Sequence, residues 1–168
     1  LTCFSFHVNK NMTTSEGGMV CTNDGELAGR IKTFGLHGLS RDAWRRFSDG
    51  GYRHYEVICP GFKYNMTDIQ AALGLAQMKQ IKEITERRTR VARHYLEELS
   101  DLDGLDLPVI PPYELGHAWH LFVVKILAMD RKDFIKALAE KNIGYGLHFP
   151  ACHTLSYVKK RFGKTELP

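Results

Sequence analysis

The feature that most constrains this chain is its opening stretch, Thr2 to Cys21, where two short apolar runs flank a polar segment. Cys3, Phe4 and Phe6 lie in the first run, and Met19, Val20 and Cys21 in the second. Runs this short, bounded by turn-forming residues, read as strands. Gly17 and Gly18 open the second one. Lys10 falls in the connection, where the end of a strand can present a side chain to a cleft. A lysine held beside apolar walls loses part of its hydration, and a neutral amine is a nucleophile toward an aldehyde. On spacing alone, a solvated loop lysine is the simpler reading. If the first run alternates, Ser5 and His7 share the face that points toward Lys10.

The 168 residues suffice for one domain or parts of two. With 43% hydrophobic and 25% charged residues, a packed core is available. The formal charge of +4 suits anionic ligands such as phosphates but lacks the dense basic stripe of a nucleic-acid module. Cys3, Cys21, Cys59 and Cys152 form no C-x-x-C pair and match no zinc or disulfide framework, so reduced thiols in a cytoplasmic protein are expected. No apolar run is long enough for a membrane span, and no signal peptide is visible. The chain begins at Leu1 and enters a strand at once, from which upstream sequence is expected to be missing.

Asn23-Asp-Gly-Glu26 has the form of a helix start, with Asn23 as cap. Leu27, Ile31 and Phe34 then recur at helical spacing, so residues 24–35 are expected to be a helix ended by Gly35 and Gly38. Residues 36–60 mix Arg41, Arg45, Arg46 and Arg53 with Trp44, Phe47, Tyr52 and Tyr55, and read as an ordered surface excursion. Thr67-Asp-Ile-Gln70 is a capping box that opens one long helix over 67–100, with room for a bend. Its charge run from Lys82 to Arg93 reads as a solvated face. Asp103-Gly104 and Pro108, Pro111 and Pro112 mark a connection between domains or layers. Trp119 to Leu127 reads as a buried strand, Arg131 to Asn142 as a helix with Phe134, Ile135 and Leu138 inward, Tyr145 to Phe149 as a short strand, and Ser156 to Phe162 as a final helix. The order is α/β in character. His117 with His120, and His148 with Cys152 and His153, were the pairs to weigh as metal ligands; neither supplies a closed four-ligand set, and no metal is expected.

Ser5-Phe-His-Val-Asn-Lys10-Asn-Met-Thr-Thr-Ser-Glu16-Gly-Gly resembles the S-F-x-x-x-K-x-(x)-T-x-x-E-G-G signature of the pyridoxal-phosphate-dependent sugar aminotransferases, the DegT/DnrJ/EryC1/StrS family. Gly61-Phe-Lys-Tyr-Asn65-Met-Thr-Asp-Ile-Gln70-Ala-Ala-Leu-Gly74-Leu-Ala-Gln77 resembles that family's second segment, G-x-x-x-N-x-x-(D/E)-x-Q-A-A-x-G-x-x-Q. Two long motifs in the right order make a specific signal. The resemblance implies a fold-type I, aspartate aminotransferase-like α/β architecture. Residues 1–103 would close the large cofactor domain, and residues 104–168 would form most of the small C-terminal domain.

The same resemblance implies the site. Lys10 would bond the pyridoxal 5'-phosphate covalently, and Ser5 would help hold its phosphate. Asn65 would reach the cofactor phosphate of the other subunit of a homodimer with shared active sites. His148 would approach the nucleotide-sugar substrate, and His7 is a candidate acid, base or loop-positioning residue. Some relatives carry histidine in place of this lysine and act as dehydratases, so Lys10 implies transamination, from a donor such as glutamate to a keto-sugar nucleotide. The family's partner for the pyridine nitrogen has no counterpart in this sequence, so these residues alone are expected not to be a working enzyme. The competing reading is a non-catalytic α/β relative.

Overall fold

The computed structural model describes residues 1–40, 55–164 and 167. Arg41, Trp44, Arg45, Arg46, Phe47, Tyr52 and Arg53, most of the basic-aromatic excursion, lie outside the described residues. The chain divides into two compact units: Leu1–Tyr95 with Ile110–Phe122, and Leu96–Val109 with Val123–Pro168.

In the first unit, β1 (Thr2–Ser5) pairs antiparallel with β2 (Gly18–Cys21), Thr2 opposite Cys21 and Ser5 opposite Gly18. The two apolar runs are therefore the strands they were expected to be. Phe6 extends the pairing through its amide, which donates to the Gly17 carbonyl at 2.9 Å, and its ring turns into the interior. The helix α1 (Gly25–Gly35) is capped by Asp24 rather than Asn23. The Asp24 carboxylate accepts from the amides of Glu26 and Leu27 at 2.9 and 3.0 Å, which Asn23, one residue further out, is placed too early to do. After α1 the chain turns back through His37 and Gly38, both at positive φ. Residues 56–64 then run beside this turn: Ile58 donates to the Gly38 carbonyl, and Tyr64 to that of Gly35, each at 2.8 Å.

The expected helix over 67–100 is two helices, α2 (Asp68–Met78) and α3 (Ile81–Glu98). The capping box at Thr67 and Gln70 forms as expected. Between the helices the Gln80 amide donates to the Gln77 carbonyl at 2.9 Å, a tighter turn than the α-helix allows. No glycine or proline sits there, so local sequence carried no stop signal. Among the described residues, the buried side chains Phe6, Thr14, Ala92 and Trp119 all belong to this unit.

The second unit holds β3 (Leu105–Asp106), β4 (Lys125–Ile126), α4 (Arg131–Glu140) and α5 (Ser156–Phe162), the last preceded by a 3-10 turn at Cys152–Thr154. β3 and β4 pair antiparallel, Leu105 with Ile126 and Asp106 with Lys125. The expected buried strand over 119–127 is thus reduced to two residues, and Val123 and Leu127 on either side of it are exposed. Its first half cannot be extended, because Trp119 has φ +46. The expected strand over 145–149 does not form; those residues are exposed coil. The helix α4 follows its sequence pattern: Asp130 caps it, Phe134, Ile135 and Leu138 are its half-buried positions, and Asn142 ends it at φ +56.

Gly38 tests the packing of the α1 turn. A Cβ there would lie 1.7 Å from the Cys59 carbonyl oxygen, at a φ of +69. Gly38→Ala is expected to destabilise the fold by about 2 kcal/mol or more. A urea titration would show this as a lower midpoint at unchanged slope; an unmoved midpoint would mean that the two segments part freely.

Candidate functional site

The loop from Phe6 to Gly17 has no ladder of its own beyond its ends, so its main-chain groups need other partners. The Phe6 carbonyl accepts two bonds, from the Thr14 amide and the Thr13 hydroxyl, both at 3.0 Å. The Thr13 hydroxyl in turn accepts from the Ser15 amide at 2.9 Å. Thr14, 1% exposed, donates its hydroxyl to the Glu16 carbonyl at 2.7 Å. The Lys10 amide donates to the His7 carbonyl at 2.9 Å, closing a turn that sets the lysine at the loop's tip.

The remaining groups are taken by α2. Gln77 accepts from the Thr13 amide at 2.9 Å. Gln70 uses both ends of its carboxamide: its oxygen accepts from the Thr67 amide, and its nitrogen donates to the Glu16 carbonyl, each at 2.9 Å. Gly74 lies between them in sequence, and a Cβ on it would come 3.0 Å from the Thr14 methyl. Positions 70, 74 and 77 share one helix face, so one stripe of α2 carries the loop.

The nominated residues fall into three places. Ser5, His7 and Lys10 lie on the loop and the strand that feeds it. The Ser5 hydroxyl is exposed and lies 3.5 Å from the His7 amide. His7 accepts from the Asn9 amide through Nδ1 at 3.3 Å, and its Nε2 is 3.8 Å from the Glu16 carboxylate. Lys10 is half-buried, its amine 3.5 Å from His120 Nε2. Asn65 stands on the wall of a cavity of about 650 Å³ with Phe4, Gly18, Phe34, Phe62 and Tyr64, and its carbonyl oxygen accepts from the Lys63 amine. His148 lies in the second unit, exposed, its ring edge-on to Phe149 at 5.3 Å.

Sequence reasoning passed over Gln77, Arg88 and His120. Gln77 closed the second motif and stood on the face of Gln70 and Gly74, which was a usable signal. Arg88 was read as one charge of a solvated run. That reading fits Arg87, which pairs with Glu83 at 2.6 Å on the exposed face. It does not fit Arg88, which is half-buried and donates to the carbonyls of Trp119 at 3.1 Å and His120 at 3.4 Å. His120 was weighed only with His117 as a metal ligand; His117 instead accepts from the Trp119 amide at 2.9 Å and lies against its ring.

Known proteins resemble this chain in sequence and fold. Residues 1–168 match the DegT/DnrJ/EryC1/StrS aminotransferase family over their whole length, and the chain belongs to that family. It is 47% identical over 166 residues to the UDP-4-amino-4-deoxy-L-arabinose–oxoglutarate aminotransferase of Shewanella sediminis, covering 96% of this chain and 43% of that protein. It is 42% identical over 171 residues to the spore coat polysaccharide biosynthesis protein SpsC of Bacillus subtilis, covering 98% of this chain and 43% of that one. Among solved structures, the PLP form of Spr1654 from Streptococcus pneumoniae, assigned as a sugar aminotransferase, superposes with a TM-score of 0.77 at 26% identity, over 95% of this chain and 40% of that one. The fold is that part of the fold-type I aminotransferase architecture, and the chain spans 43% of the length of the curated relatives it matches.

If α2 carries the loop, Gln77→Leu leaves the Thr13 amide without its acceptor. Loss of about 1–3 kcal/mol of stability is expected, with faster hydrogen exchange at the Thr13 amide than at the amides of α4. Unchanged exchange at Thr13 would show that the loop holds its shape without the helix.

Proposed function

We propose that the protein carrying this chain is a pyridoxal-phosphate-dependent aminotransferase that moves an amino group from an amino acid, glutamate being the expected donor, to a keto-sugar nucleotide. The observation that carries the reading is Lys10: a half-buried amine at the tip of a loop whose shape is fixed by the residues of both family motifs. An aldehyde cofactor with a phosphate needs an amine and hydrogen-bond donors. Lys10 supplies the first, and the exposed Ser5 hydroxyl one of the second. When bound, the cofactor supplies the electron sink that makes an amino acid's α-proton removable. Lys10 would hold the cofactor through its aldehyde carbon, and its amine, when free, would carry a proton to and from the substrate carbon. His7, tied to Asn9 and facing Glu16, holds the turn that presents Lys10. His148 is assigned to the sugar nucleotide, and Asn65 to the cofactor phosphate of a second copy in a homodimer. In this reading residues 1–103 complete the large cofactor domain, residues 104–168 belong to the small domain, and the enzyme works in the cytoplasm on sugars destined for surface polysaccharides or secondary metabolites.

Pyridoxal phosphate followed by borohydride should add the cofactor mass to the peptide bearing Lys10. Lys10→Ala should lose turnover by at least a thousandfold, since nothing else on the loop offers an amine. A label on a different lysine, or parental turnover in Lys10→Ala, would refute the assignment.

Shared sites make a separate prediction. Activity should follow the dimer in sedimentation at assay concentrations, and Asn65→Ala should weaken cofactor retention about tenfold, the loss of one hydrogen bond to a charged group. A fully active monomer rules the shared site out.

A further inference from the structure

We propose that His120 is a positioning residue for the Lys10 amine, its ring nitrogen accepting a hydrogen bond that holds the amine whenever it is not covalently engaged. The proposal deepens the reading of Lys10 given above and rests on it. Lys10 Nζ and His120 Nε2 are 3.5 Å apart, at the long end of hydrogen-bonding distance. The contact has company. The next residue, Asn11, donates its side-chain amide to the Ala118 carbonyl. Two consecutive loop residues therefore meet two alternate residues of one turn, more than a hundred positions away in sequence.

That turn is built to stay where it is. Trp119 holds φ +46, a conformation aromatic residues rarely adopt, while its ring is buried. Its amide donates to His117 Nδ1, and the two rings pack at 4.3 Å. Arg88 donates to the Trp119 and His120 carbonyls, one on each side of the His120 Cα, at 3.1 and 3.4 Å. A guanidinium committed to two main-chain carbonyls fixes the backbone that bears His120. Strain of this kind persists only where the surroundings over-determine it, and it concentrates where position matters. His120 also lines a cavity of about 460 Å³ with Ala92, Tyr95 and Phe122. A lysine ammonium offers only donors, so Nε2 is the acceptor in this contact. Fixing one amine at the end of four rotatable bonds removes conformations in which it cannot attack.

The test reads the contact and its consequence separately. In protein labelled with ¹⁵N-lysine and free of cofactor, the Lys10 Nζ–H signal, identified by its absence in Lys10→Ala, should be visible in the parent. It should persist in His120→Gln, whose carbonyl can accept the same bond, and vanish into solvent exchange in His120→Phe. The rate at which added pyridoxal phosphate becomes borohydride-fixable on Lys10 should fall about tenfold in His120→Phe, as expected for one hydrogen bond to a charged group, and recover in His120→Gln. His120→Asn, polar but too short to reach, serves as the second deletion and should behave as His120→Phe does, which covers the case where the phenylalanine misfolds. A Lys10 signal unchanged in both deletions overturns the contact, and an unchanged rate with the signal lost overturns the positioning role. If the parent fixes no cofactor on Lys10, the proposed function falls, while the Nζ–H signal still decides whether His120 holds the amine.

Discussion

One stripe of α2 against one loop sets the shape of the segment that bears Lys10. The loop between the two strands leaves its amides and carbonyls outside any ladder, and unpaired main-chain groups in a half-buried position cost about 1–3 kcal/mol each. Gln77 and Gln70 remove two of those costs with carboxamides, which can accept at one end and donate at the other. Gln70 does both at once, capping its own helix through oxygen and holding the Glu16 carbonyl through nitrogen. Helix start and loop shape are thereby tied to one side chain.

Thr14 explains the glycines nearby. A Cβ on Gly17 would come 2.6 Å from its hydroxyl, and a Cβ on Gly74 would come 3.0 Å from its methyl. The two glycines, fifty-seven positions apart, clear space around the same buried threonine. Gly17 has a second reason, a φ of +146. The glycine pair that opens β2 is thus a packing device as well as a turn.

Local signals were legible wherever a local interaction decided the outcome. The two strands β1 and β2, the Thr67 capping box, the inward face of α4 and its end at Asn142 all follow from residues within a few positions of one another. The failures share a different cause. The apolar run from Trp119 looked like a strand, but Arg88 and His117 capture its first residues in a turn, and neither partner can be inferred from the run itself. The end of α2 carries no breaker, so a helix continued through it on paper. In the candidate site, Lys10 and Ser5 were legible because one motif holds both. Gln77 and His120 reach the loop across sequence separations of 64 and 110 residues, beyond any periodicity.

The break between α2 and α3 has a consequence for the site. The loop bearing Lys10 is held on one side of the lysine at residues 13–16 by side chains of α2. Nearer the lysine it is held at Asn11, whose side chain donates to the Ala118 carbonyl of the 118–120 turn, and Arg88 of α3 fixes the backbone of that turn. The turn at Gln77–Gln80 joins the two helices that set these two grips. With its amide on the His7 carbonyl and the residues after it held by α2 and the 118–120 turn, the lysine retains chiefly its own side-chain rotamers. A neighbouring acceptor is the cheapest way to narrow those, because it acts on the amine directly and asks nothing further of the backbone.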